Sequence, residues 1–81
     1  MVVSIEFLGI QRILTKKDSI SMPITEGTRA NDALEYIKHR YPELSLNSEI
    51  IIITVNHEMA SLDRILNVND TVSFLPHISG G

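Results

Sequence analysis

The chain contains no cysteine. That absence removes disulfides, thiolate metal sites and cysteine nucleophiles together, so any sulfur chemistry must be mounted on something other than a side-chain thiol. Basic residues are also scarce, seven against ten acids for a net charge of −3. Without a basic stripe to neutralise phosphates, nucleic acid is not expected as a direct partner. No apolar run approaches the roughly 18 residues of a membrane span, and no charged segment with an apolar stretch and a small-residue cleavage site opens the chain. A cytoplasmic protein with no membrane partner is expected. There is no glycine-rich phosphate loop and no serine-histidine triad arrangement, so catalysis within the chain is not expected. The three histidines, His39, His57 and His77, lack metal-ligand spacing and cysteine companions, and they read as surface residues with no metal site.

What is present fits one small domain. A chain of 81 residues hides about 60 to 65% of its unfolded surface, enough for one modest core. Val2 to Leu8 alternates, with Val3, Ile5 and Phe7 on one face and Ser4 and Glu6 on the other, which predicts a half-buried strand. Gly9 to Thr15 reads as a longish connection to a charged turn at Lys16-Lys17-Asp18. Ser19 to Ile24 alternates again, and Pro23 places this second strand at a sheet edge or ends it. From an expected N-cap at Thr28, Ala30, Leu34, Ile37 and Tyr41 share one helical face. Pro42 marks the helix end.

After a polar loop, the β-branched run Ile50 to Val55 predicts a strand covered on both faces or at least central in its sheet, the spine of the domain. Asn56-His57-Glu58 reads as a turn and Met59-Ala60-Ser61 as a short strand. A second turn spans Leu66 to Asp70, before a last strand from Thr71 to Leu75. Two strands, a helix and further strands imply an α+β domain, a mixed sheet of four to five strands packed on one main helix.

The last strand delivers the chain into Pro76-His77-Ile78-Ser79-Gly80-Gly81. Two glycines without Cβ make a thin end able to enter a narrow tunnel. A carboxylate at Gly81 offers a handle that an enzyme can activate by adenylation, and with no cysteine present it is the available place for sulfur. Leu8 and Leu75 fall on the opposite phase from their strands' core residues, beside the tail, and are candidates for a partner-binding surface. Phe74 is a third candidate, although its alternation with Val72 also fits the core.

Several segments together carry a family resemblance. They are Ile5-Glu6-Phe7-Leu8 with Arg12 after it, Ala33-Leu34 running to Arg40-Tyr41-Pro42-Glu43-Leu44, Val55-Asn56, and Phe74-Leu75-Pro76 leading to Gly80-Gly81. In these the chain resembles the MoaD/ThiS ubiquitin-like β-grasp sulfur carriers, most closely the small subunit of molybdopterin synthase (the MoaD family). It departs from that pattern at His77, where the family has a second proline, and at Asn69-Asp70, where the family has glycine-aspartate.

The resemblance implies a β-grasp domain over residues 1–75 and a flexible Gly-Gly tail over 76–81. It implies that a ubiquitin-activating-type adenylyltransferase (MoeB/ThiF-like) uses ATP to activate Gly81, which becomes a 1-thioglycine. The implied acceptor is the large subunit of molybdopterin synthase (MoaE-like), with catalysis in that subunit, no cofactor bound by this chain, and Arg12 helping to bind partners. Two other readings stay open. One is a related carrier or modifier, serving thiamine thiazole synthesis, tRNA thiolation or protein conjugation; the other is a passive β-grasp binding module.

Overall fold

The computed structural model describes residues 1–46 and 51–76. Strand β1 spans Val2–Glu6, helix α1 Ile10–Thr15, β2 Ser19–Pro23, helix α2 Ala30–Arg40, β3 Ile51–Val55, β4 Glu58–Ala60 and β5 Thr71–Pro76. A 3-10 turn at Pro42–Leu44 follows α2. The strands form one sheet in the order β2-β1-β5-β3-β4. The β1–β5 pair is parallel and the other three pairs are antiparallel, so the sheet is mixed, as expected.

The core follows from the two periodicities. Ala30, Ala33, Leu34 and Ile37 sit one helical turn apart and are fully buried. They form one cluster with Val3, Ile5, Phe7, Ile53, Val55, Val72 and Phe74, the alternate residues of the facing strands. Tyr41 joins the edge of this cluster, its ring meeting Phe7 edge-on with centroids 5.4 Å apart. The helix stops at Arg40, just before Tyr41-Pro42, as the restriction on the residue preceding proline requires. Its basic last turn, Lys38, His39 and Arg40, complements the negative end of the helix dipole.

Four expectations are corrected. The segment after Gly9 is not a plain connection: Ile10–Thr15 is a short helix, closed by Lys16 in the left-handed region with its N–H on the Arg12 carbonyl at 2.8 Å. One and a half turns are too few to show a period in sequence. Helix α2 is capped by Arg29 rather than Thr28. Asp32 accepts the Arg29 N–H at 2.8 Å, while the Thr28 hydroxyl accepts the Thr25 N–H at 3.0 Å in the preceding turn. The isoleucine run is not the spine. Strand β3 lies one place in from the β4 edge and β5 holds the centre, because the parallel β1–β5 pairing inserts the last strand into the middle of the sheet. Ile50 lies outside the described residues. Leu66, read as part of a turn, is buried in the core, and its N–H reaches the Thr28 carbonyl at 2.8 Å.

Other local readings hold. Strand β2 is an edge strand and ends at Pro23. Asn69 takes φ 69°, so it fills the left-handed position that glycine would otherwise fill before the last strand. Among the described residues no helix is long and apolar enough to cross a membrane.

Candidate functional site: the exit end of the central strand

Strand β5 is held from its first residue. The Asn56 N–H donates to the Thr71 carbonyl at 2.7 Å, and the Thr71 N–H donates to Asn56 Oδ1 at 3.0 Å. Asp70, itself buried, accepts from Asn56 Nδ2 at 2.9 Å and from the Asn67 N–H at 2.8 Å. From there β5 runs between β1 and β3 to Pro76, whose backbone pairs opposite Ile51. His77, Ile78, Ser79, Gly80 and Gly81 lie outside the described residues.

The sheet face away from α2 carries the other alternate residues. One row crosses all five strands in register: Ser19, Glu6, Ser73, Thr54 and Met59. At its centre the buried Thr54 and Ser73 hydroxyls hydrogen-bond to each other. The next row toward the exit end sets Leu75 directly opposite Ile52, both half-buried. Leu8 follows Glu6 by two residues as Leu75 follows its partner Ser73 by two, so Leu8 and Leu75 stand at the same end of the sheet. Leu8 is also half-buried, and it lines a surface depression of about 330 Å³ with Arg12, Glu6, Asp18 and Ser19.

Leu8, Leu75 and Arg12 are thus brought to one end of the molecule. Phe74 is not part of that surface. Its side chain is 1% exposed and belongs to the core under α2, so the alternation with Val72 decides its role. The structure adds apolar residues that sequence reasoning missed. Ile52 faces Leu75, Met59 stands 78% exposed at the β4 edge, and α1 presents Ile10 and Ile13 at 68% and 72% exposure. The phase of Ile52 against Ile53 was available in sequence. The α1 pair was not, since it needs the helix to be seen first.

Ile10 and Ile13 share a second, broader hollow of about 550 Å³ with Gly9, Arg12 and Asp18. Helix α1 also supplies Gln11, buried at 6% exposure, whose carboxamide contacts both the end of β1 and β5. Among the described residues no group of three His, Cys, Asp or Glu side chains converges on a point that could hold a metal ion. His39 is exposed, with Nδ1 2.9 Å from the Glu35 carbonyl, and His57 is exposed in the β3–β4 turn. What the arrangement can do chemically is present a surface: an apolar and basic end beside a strand that leads into Gly80-Gly81.

Comparison with known proteins agrees with this geometry. The chain is 38% identical over 69 residues to a molybdopterin synthase sulfur carrier subunit of Dictyostelium discoideum, covering 80% of this chain and 79% of that one. The small archaeal modifier protein 1 of Haloferax volcanii superposes with a TM-score of 0.80 over the whole of both chains at 17% identity. A chain from the complex of subunits 1 and 2 of molybdopterin-converting factor from Helicobacter pylori superposes with a TM-score of 0.64, again over the whole of both, at 22% identity. The fold is therefore the ubiquitin-like β-grasp. The model of the ThiS family matches residues 5–81, and the chain belongs to that family.

Proposed function

We propose that this protein is the sulfur carrier subunit of a molybdopterin synthase, loaded at Gly81. The observation that carries the reading is the 38% identity to a protein of that name, in a chain whose family match runs through Gly80-Gly81. In the proposed cycle the Gly81 carboxylate attacks the α-phosphorus of ATP on an activating enzyme, giving an acyl adenylate and releasing pyrophosphate. A sulfur nucleophile then displaces AMP, leaving a thiocarboxylate. The large synthase subunit takes that sulfur for the pterin dithiolene, so this chain is a non-catalytic donor. Six residues from Pro76 to Gly81, if extended, reach about 20 Å from the folded domain over residues 1–75, enough to enter a buried site. The apolar end formed by Leu8, Leu75 and Ile52, with Arg12 beside it, is the proposed docking surface for both partners. Support for the second of them comes from the fold neighbour solved as a complex of subunits 1 and 2.

The test is intact-mass measurement after incubation with activating enzyme, ATP and a sulfur source. The expected product has gained one sulfur and lost one oxygen at Gly81. An unchanged mass with a competent activating enzyme would leave the passive module as the better reading. A second reading, a protein modifier, is favoured by the likeness to the archaeal modifier protein. Recovery of lysine-linked targets, rather than a synthase large subunit, from a pull-down of the native chain would select it.

A further inference from the structure

The parallel ladder between β1 and β5 stops at Glu6 facing Ser73. In a parallel pair the next rung would join the Leu8 N–H to the Phe74 carbonyl. Instead the Gln11 side chain stands between them. The Leu8 N–H donates to Gln11 Oε1 at 3.1 Å, and Gln11 Nε2 donates to the Phe74 carbonyl at 2.8 Å. A carboxamide carries one acceptor and two donor hydrogens on a plane like that of a peptide group, so it extends the ladder by one inserted unit. It also lets the chain diverge at Leu8 into α1 while β5 continues straight to Pro76. Helix α1 fixes this side chain in turn, through the Gln11 N–H on the Leu8 carbonyl at 3.0 Å and the Thr15 hydroxyl on the Gln11 carbonyl at 2.8 Å.

From this geometry we infer that Gln11 is a positioning residue for the carrier tail: its carboxamide fixes the backbone at Phe74 on the side where β1 has already turned away, two residues before β5 ends at Pro76. On the β3 side, β5 is held as far as Pro76 by the pairing with Ile51. On the β1 side, the Gln11 bridge lies beyond the last paired residues. Gly81 follows Phe74 by seven residues. If a docked partner holds the tail extended, a tilt of about 10° at that base would move a tip roughly 20 Å away by about 3 to 4 Å. Misplacement on that scale slows a reaction between held groups far more than it weakens docking.

The inference rests on the carrier reading of Gly81, and two kinds of measurement separate them. Gln11→Met keeps the length of the side chain and removes both polar functions; Gln11→Glu keeps the acceptor for Leu8 and loses the donor to Phe74. In the free protein, both variants should shift the Phe74 carbonyl carbon resonance and increase fast backbone motion at Leu75 in nitrogen relaxation. Only Gln11→Met should speed hydrogen exchange at the Leu8 amide. With the activating enzyme, both folded variants should lose kcat for thiocarboxylation on the order of tenfold while KM stays within about twofold. Wild-type kcat in both variants, or a loss confined to KM, overturns the inference. If the wild-type chain itself takes up no sulfur, the carrier reading is what fails. Unchanged relaxation at Leu75 in both variants then overturns the positioning role independently.

Discussion

The two ends of β5 are secured by different means. At its entry, Asn56, Asn67, Asp70 and Thr71 form a closed set of hydrogen bonds that joins the β3–β4 turn to the turn before β5. At its exit, the strand is held by one long-range carboxamide on one side and by backbone pairing on the other, with half-buried aliphatic side chains around it. The entry is polar and saturated; the exit leaves apolar surface at Leu75, Ile52 and Leu8 and a basic side chain at Arg12. Stability and function therefore separate along the strand. Breaking the entry should cost folding free energy, and breaking the exit should cost sulfur transfer.

The largest effect expected at the exit is all-or-none. Deleting Gly81 removes the carboxylate presented at the proper reach, so thiocarboxylation should fall below detection by intact mass. The melting temperature should stay within about a degree of wild type, since the described core is complete by Phe74. A truncated chain that still loads sulfur would move the reactive site elsewhere.

At the entry, Asp70→Ala should be the most damaging single truncation. It strands the Asn56 amide and the Asn67 N–H in partly buried positions and deletes hydrogen bonds to a carboxylate acceptor. The expected loss is about 2 to 3 kcal/mol by urea unfolding. The kcat for loading of the folded fraction should be unchanged, and a fall in kcat at full folding would show that the two ends are coupled.

These ends also differ in how much of them could be read from sequence. Asn69-Asp70 and Asn56 are local turn signals, because asparagine tolerates left-handed φ and short polar side chains bond nearby backbone. The alternation of Val3, Ile5 and Phe7, and the helical spacing of Ala30, Leu34 and Ile37, placed the core for the same reason: each pattern is complete within one element. The exit depends on partners far apart in the chain. Gln11 and Phe74 are 63 residues apart, and nothing local to either announces the bond. The order of strands was equally hidden, since the isoleucine run has the composition of a central strand and stands second from the edge. Helix α1, six residues long, is too short for its exposed Ile10 and Ile13 to be told from a loop. The Gly80-Gly81 pair is legible in sequence because it is contiguous, whereas the apolar surface at Leu8, Ile52 and Leu75 follows only from register.

Substitution at the exit surface should weaken association without unfolding. Leu75→Ala removes a half-buried aliphatic opposite Ile52, and the expected loss of affinity for a partner is about 1 to 2 kcal/mol, roughly 5- to 30-fold in Kd. Titration calorimetry with the synthase large subunit or the activating enzyme measures it. Stability should change by less than about 1 kcal/mol, because the side chain is only partly covered. An unchanged Kd with both proteins would place the interface elsewhere, and α1 with Ile10 and Ile13 would be the next surface to truncate.

The smallest expected effect has the opposite sign and lies at the entry. Asn56 and His57 form the β3–β4 turn with φ 53° and 69°, both in the left-handed region. Paired positive φ values at the two central positions match the turn type favoured in two-residue hairpins, where glycine is common at the second. Histidine has a Cβ that makes this conformation unfavourable, and the side chain is exposed with no hydrogen bond among the described residues to offset it. His57→Gly should therefore stabilise the fold by about 0.5 to 1 kcal/mol, the relief of strain outweighing the greater freedom glycine gives the unfolded chain. Urea unfolding at unchanged m-value checks it, and a destabilised variant would mean that the imidazole makes a contact worth more than the strain. Because the turn sits at the end remote from Leu75 and Gln11, the gain should leave thiocarboxylation kinetics untouched; any change in kcat would show that securing β5 at its start alters how it is presented at its end.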